Sequence, residues 1–276
     1  MSTSSRALFP VVIVATIIAA AALWWTMFRA VPQAPIASAP APAAAPSSPK
    51  PAVMPAESAI QYPVEAPVEG PPLAAADIGT ALTNLLGRKA VLSFFELDDF
   101  PRRFVATVDN LGSSHAPPMV WPINPTPNRF MVEERAGGPV ISADNSLRYT
   151  PLVLLAEAVD AGKAVDLYLR IYPLLQRAYE QLGYPKRYFN DRLIEVIGQL
   201  LATPGTDEPI KVQLTEVRGS VPSGRPWVRY EFSDPALESL SAGKKILLRV
   251  GSVNERRLKA KLTAIRQELI KRVKPR

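Results

Sequence analysis

Two tracts of this sequence gather polar groups that could do chemistry. The first runs Arg102-Arg103-Phe-Val-Ala-Thr-Val-Asp109-Asn110 and sets two guanidiniums near a carboxylate and an amide. The second, Tyr184-Pro-Lys-Arg-Tyr-Phe-Asn190-Asp191-Arg192, packs donors and acceptors among aromatic rings. Guanidinium forks, amides and carboxylates recognise other polar groups by directed hydrogen bonds. Arg102, Arg103, Asp109, Asn110, Tyr184, Asn190, Asp191 and Arg192 are therefore the candidate binding residues. A structural role competes: Asn190 or Asp191 caps a helix, Arg192 pairs with a carboxylate, and the first tract divides the same way.

Catalysis would have to rest on carboxylates. Glu96, Asp98, Asp99, Glu133 and Glu134 come in close groups. Glycoside hydrolysis needs two carboxylates facing one cleft, about 5–9.5 Å apart. Asp99, Glu133, Asp191 and Glu195 converging in space would make a hydrolase; their pairing with Arg102, Arg103 and Arg192 would leave a binding module. The chain has no cysteine and a single histidine, His115, which removes thiolate chemistry and histidine-based metal sites. It has no phosphate-binding glycine pattern, no His-Glu-x-x-His and no Gly-x-Ser-x-Gly. No catalytic residue, metal ligand or cofactor is assigned.

The elements that would position these groups are mostly helical. Apolar residues recur at helical spacing after Asp77, through Val91 to Phe95, from Pro151 to Val159, from Val165 to Tyr179 and from Phe189 to Leu201. Gly183 before Pro185 ends the fourth of these, and Pro173 within it predicts a kink or local break. Arg103 to Leu111 reads as a strand from its β-branched residues, although Pro101 would also suit a first helical turn. Residues 113–128, with five prolines, read as irregular. Short strands are expected at 130–134, 210–217 and 227–232, and a short helix after Asp234-Pro235. The last element has a Ser252-x-x-Glu255 capping-box pattern and an apolar face of Leu258, Leu262, Ile265, Leu269 and Val273.

Ahead of this body lies Leu8 to Phe28, uncharged throughout and long enough to cross a ~30 Å hydrocarbon layer as a helix. Residues 30–72 then hold 12 prolines and 12 alanines, a composition that resists regular structure. The expected organisation is a cytoplasmic tail (1–7), a transmembrane anchor (8–28), a disordered Pro/Ala-rich linker (29–72) and a globular domain (73–276). The expected fold class is mainly α: a single N-terminal transmembrane helix, the linker, and an α-rich α+β domain with a small β component. The basic-poor linker favours an N-terminus in the cytoplasm and a domain in the periplasm, a single-pass topology in the inner membrane.

The formal charge of +7 is unevenly placed. Residues 244–276 hold 12 Lys/Arg against Glu255 and Glu268, whereas 73–243 hold 17 basic and 20 acidic residues. The C-terminal helix therefore offers either a solvated face or a contact for an anionic polymer or lipid surface. Nucleic acid is not an expected partner, since no recognised binding module occurs.

Four blocks of the body carry a resemblance: RRFVATVDNL (102–111), the RY-x-P of Arg148 to Pro151, YPLLQRAYEQLGYPKRYFNDRLIEVIGQLLATP (172–204) and SDPALESLSAGKKILLRVGSVNERRLKAKL (233–262). They resemble the bacterial envelope family of domain of unknown function 3014. The characteristic positions matched are Tyr184, Pro185, Phe189, Asn190, Asp191 and Arg192, with Arg103, Asp109 and Asn110 from the first block. Gly198 and Gln199 stand where members often carry Asp-His, which weakens a catalytic role for that helix. The resemblance implies a membrane anchor, a proline-rich spacer and no assigned activity. The resulting expectation is a membrane-anchored envelope protein that binds an envelope protein or cell-wall partner without catalysis. A cell-wall-modifying hydrolase with paired carboxylates, or a binder of anionic surfaces, is the alternative.

Overall fold

Helix α1 (Ile78–Leu86) buries Ile78 and Leu82, and Gly87, at φ +84°, turns the chain directly into α2 (Arg88–Phe94). The computed structural model describes residues 60–64, 70–206, 208–215 and 226–273. Residues 103–111, expected as a strand, belong instead to helix α3 (Phe100–Leu111). Pro101 sits in its first turn, and Val105 and Val108 are buried at helical spacing. Here tertiary packing and the proline outweigh the β-branched content.

A hairpin of β1 (Val132–Arg135) and β2 (Gly138–Ile141) follows, in register Val132↔Ile141 and Arg135↔Gly138. Helix α4 (Thr150–Ala158) opens with Pro151, and α5 (Ala161–Gln181) starts where the Asp160 carboxylate accepts the Lys163 amide at 2.8 Å. No break occurs at Pro173: α5 runs unbroken to the turn at Gly183, φ +106°. Helix α6 (Phe189–Leu201) precedes β3 (Val212–Leu214), which pairs antiparallel with β4 (Tyr230–Phe232). The Val140↔Lys211 bridge joins the two hairpins. Asp234 caps α7 (Pro235–Glu238) through the Ala236 amide at 2.8 Å. The last described elements are α8 (Ala242–Arg249), which periodicity did not reveal, and α9 (Ser252–Arg272).

Helix α5 is the axis of the fold. Its Val165, Tyr168, Leu169, Ile171, Tyr172, Leu175 and Tyr179 are buried against α1, α3, α6 and α9. Fully enclosed side chains such as Leu175, Val105, Phe189 and Leu269 each stabilise by about 1.5–3 kcal/mol relative to exposure. A smaller core of Val212, Phe232 and Leu248 sits under the strands.

The membrane expectation needs correction. Among the described residues no helix is long and apolar enough to cross a membrane. The two 21-residue helices, α5 and α9, present one apolar face to the core and carry charge elsewhere, unlike a lipid-embedded helix. The stretch 8–28 and most of the linker lie outside the described residues. Over the described residues the fold class is mainly α with a small β component, and none of their helices crosses a membrane. The inner-membrane anchor as partner, the single-pass topology with its two sides, and the membrane-anchored envelope role are not carried forward.

Candidate functional site: a main-chain clasp at the start of helix α6

Helix α6 begins without a side-chain cap of its own. Gln176 of α5 supplies the acceptor: its Oε1 takes the Phe189 amide at 2.9 Å and the Tyr172 hydroxyl at 3.0 Å. That frees Asn190 and Asp191 from capping, and both reach across the fold to residues 60–64. The Asp191 carboxylate accepts the amides of Gln61 (3.0 Å) and Tyr62 (2.8 Å). Asn190 Nδ2 donates to the Tyr62 carbonyl at 2.8 Å, and the Tyr188 hydroxyl accepts the Val64 amide at 2.7 Å. Pro63 has no amide to satisfy, so each main-chain N–H from Gln61 to Val64 has a partner. Two of these bonds are charge-assisted, the stronger kind.

Asn190 is fully buried, and its orientation is fixed from behind by the Tyr168 hydroxyl, which donates to Oδ1 at 3.0 Å. Burial raises the pKa of Tyr168 well above the usual tyrosine value, aided by Tyr188 and Asp191, so the hydroxyl keeps its donor proton. Tyr172 sits between Tyr168, edge-on at 5.7 Å between ring centroids, and Tyr188, tilted at 5.5 Å. Tyr168 and Tyr172 of α5, with Tyr188 of the second tract, thus form the backing plate of the clasp. Tyr62 and Val64 pack their side chains against the same core.

A second network holds α6 in place. Arg192 Nε pairs with Asp109 Oδ1 at 2.8 Å, Nη2 donates to the Asp109 carbonyl at 2.9 Å, and Nη1 meets Glu195 at 3.0 Å. The Tyr184 hydroxyl donates to the other Asp109 oxygen at 3.1 Å. Burial opposes the Arg192 charge, but its bonds to Glu195 and Asp109 outweigh this and raise its pKa. The hydrogen bond to Asp109 likewise raises Tyr184. Gly112 makes the approach feasible: a Cβ there would lie 2.7 Å from Arg192 Nη2 and 3.1 Å from Val196 Cγ2.

Five of the candidate residues therefore come together, Asp109, Tyr184 and Arg192 as one network and Asn190 and Asp191 as the clasp. The other three stand apart. Arg103 donates to the carbonyls of Asp98 (2.8 Å) and Met119 (2.8 Å), tying down the proline-rich section. Arg102 pairs with Asp99 at 3.3 Å on the surface, and the Asn110 carbonyl accepts the Ser113 amide. Sequence reasoning missed Tyr168, Tyr188 and Gln176. The Tyr172/Gln176/Glu180 spacing along α5 was the available signal, since it lines these side chains up beside the tract.

The hydrolase alternative fails on geometry. Asp99 pairs with Arg102, Glu133 with Arg135 at 3.2 Å, Glu195 with Arg192, and Asp191 holds main-chain amides. Each of these carboxylates is held by a cation or by main-chain amides within the fold. Among the described residues no group of three or more His, Asp or Glu gathers to hold a metal ion.

The anionic-surface alternative is corrected too. Helix α9 commits part of its charge to the fold, with Lys259 on the buried Glu255 (2.7 Å) and the Thr203 carbonyl (2.6 Å) and Lys261 on the Val159 carbonyl (2.5 Å), while Arg256 and Lys271 stay at the surface. Arg272 bonds Asp166 and the Gly162 carbonyl, and Arg257 lies 3.8 Å from Glu157. The capping box also does not form. Gly251, at φ +87°, takes the cap position, and Glu255 turns to Lys259.

No curated protein and no solved structure matches this chain. The family model described as protein of unknown function, DUF3014, matches residues 100–266. That span covers α3 to most of α9 and includes every residue of the clasp and its supporting network except the clasped segment itself. The chain belongs to the DUF3014 family.

Proposed function

We propose that this domain is a non-enzymatic binding module that holds an extended polypeptide by its main chain. Asn190, Asp191 and Tyr188 are the reading groups; Asp109, Tyr184 and Arg192 position the helix that carries them. The observation that carries this reading is Asp191 accepting two successive amides while Asn190 meets the carbonyl between the second and Pro63. Groups that read only the main chain leave side-chain identity loosely specified, as in strand-addition recognition. The resident occupant is the chain's own 60–64, and an extended partner segment with a proline after the clasped carbonyl meets the same groups. The clasp leaves Arg102 and Asn110 unused, while Arg103 serves it only through the fold.

The test uses the full chain with Gln61, Tyr62 and Val64 each replaced by proline, which removes the three amides that the clasp reads. A labelled Ile-Gln-Tyr-Pro-Val peptide is expected to bind this opened chain saturably, and to lose at least ~10-fold in affinity when Asp191→Ala and Asn190→Ala are added. An opened, folded chain that takes up no peptide would contradict the reading.

A further inference from the structure

The helical core holds a partly open apolar cavity of about 420 Å3. Its wall is built from α1, α3, α5, α6 and α9, with Leu82, Phe104, Val108, Ala164, Val196 and Ile265 among the lining residues. The one hydroxyl-bearing side chain in the wall, Tyr168, directs its oxygen away to Asn190. Such a wall offers no hydrogen bond, so whatever part of a ligand lies there must be apolar itself. The volume is nearly three times the ~150 Å3 of an apolar cavity that admits benzene, and it falls within the ~300–1,000 Å3 of small-molecule sites.

Two wall residues, Leu85 and Leu167, also line a second recess of about 470 Å3 between α1 and α5. This one is polar. Thr80 and Asn84 face Lys163 and Arg170 across it. Among the described residues its carboxylates are Asp77 and Asp166; Asp166 is bound by Arg272 and Arg170 Nε reaches the Pro71 carbonyl at 3.4 Å, which leaves Lys163 and Arg170 against one exposed described carboxylate. The fold thus sets an apolar space beside a cationic one, with a shared wall.

We propose that the two spaces form one binding site for a single-chain anionic amphiphile, a medium-chain fatty acid. The acyl chain lies in the cavity and the carboxylate meets Lys163 and Arg170. The site is independent of the clasp, which uses the far side of Tyr168.

Calorimetric titration of the full-length chain with lauric acid, kept below its micellar concentration, is expected to saturate at one per chain. Ala164→Phe, which projects a ring into the cavity, is expected to weaken binding at least ~10-fold while the cooperative thermal transition remains. The substitution leaves residues 8–28 untouched, so undiminished binding by this variant would place the fatty acid elsewhere and overturn the proposal. Lys163→Glu, on an exposed position of α5, keeps the question answerable if Ala164→Phe does not fold. It is expected to weaken lauric acid roughly 5-fold, the scale of a partly exposed ion pair, and to leave lauryl alcohol unchanged. Equal loss for acid and alcohol, no loss for the acid, or no saturable uptake by the parent chain would each overturn it.

Discussion

Arg102 and Arg192 each pair with an aspartate, yet the pairs differ in kind. Arg102 meets Asp99 three residues away, with side chains 67% and 51% exposed. Arg192 meets Asp109 across 83 residues of chain, with both side chains 17% exposed, and adds the Asp109 carbonyl and Glu195. The first pair is screened by water and fixes nothing beyond its own turn. The second locks α6 to α3, and so sets where Asn190 and Asp191 point. The same two residue types take on opposite importance through burial and sequence distance alone.

Breaking each pair should expose that difference. Arg192→Ala leaves the mostly buried Asp109 carboxylate without its cation and with the Tyr184 hydroxyl as its side-chain donor, and is expected to lower unfolding free energy by about 2–4 kcal/mol in a urea titration. Lys259→Ala comes next, since it strands the buried Glu255 carboxylate and the Thr203 carbonyl, at about 2 kcal/mol. Gly112→Ala is expected to cost about 1–2 kcal/mol by pushing against the bound guanidinium. In an Arg192→Ala background much of that cost should vanish, because the crowded group is gone.

Alkaline pH tests the lock from the Tyr184 side. Its pKa is raised in the folded chain, so the unfolded chain loses this proton first. The associated stability is present below the unfolded value of ~10 and is lost as pH rises through the folded value. Tyr184→Phe should therefore flatten the fall in thermal midpoint above pH ~10. Arg102→Ala should move the urea midpoint least, by less than ~0.5 kcal/mol in free energy. A loss there as large as that of Arg192→Ala would erase the distinction between the pairs.

Much of this fold was legible because long amphipathic helices announce themselves. Helices α5 and α6 and the apolar face of α9 follow from residue spacing, as do the Asp234-Pro235 start and the Gly183 stop. Local signals failed where tertiary contacts overrode them. The β-branched run in α3 is helical because Val105 and Val108 have a core to face, and the Ser252-x-x-Glu255 pattern yields to an ion pair with Lys259. Helix α8 was hidden because Gly243 looks like a breaker. It is there for proximity, since a Cβ would fall 2.5 Å from Leu200 Cδ2 and 2.9 Å from the Leu111 carbonyl. The candidate site was half legible. Side-chain types picked out Asn190 and Asp191, but their partners lie about 130 residues upstream in a proline-rich stretch read as tether. Tyr62 and Val64, larger than the alanines before them, were the only local hint.

Asp191 and Asn190 hold Gln61 and Tyr62 by the main chain, and Tyr188 holds Val64. Amide hydrogen exchange of the full chain tests this claim residue by residue. Gln61, Tyr62 and Val64 are expected to exchange slowly in the parent, and Gln61 and Tyr62 to reach free-peptide rates in Asp191→Ala while α5 stays protected. Free-peptide rates at Gln61 and Tyr62 in the parent, or protection that survives Asp191→Ala, would contradict it.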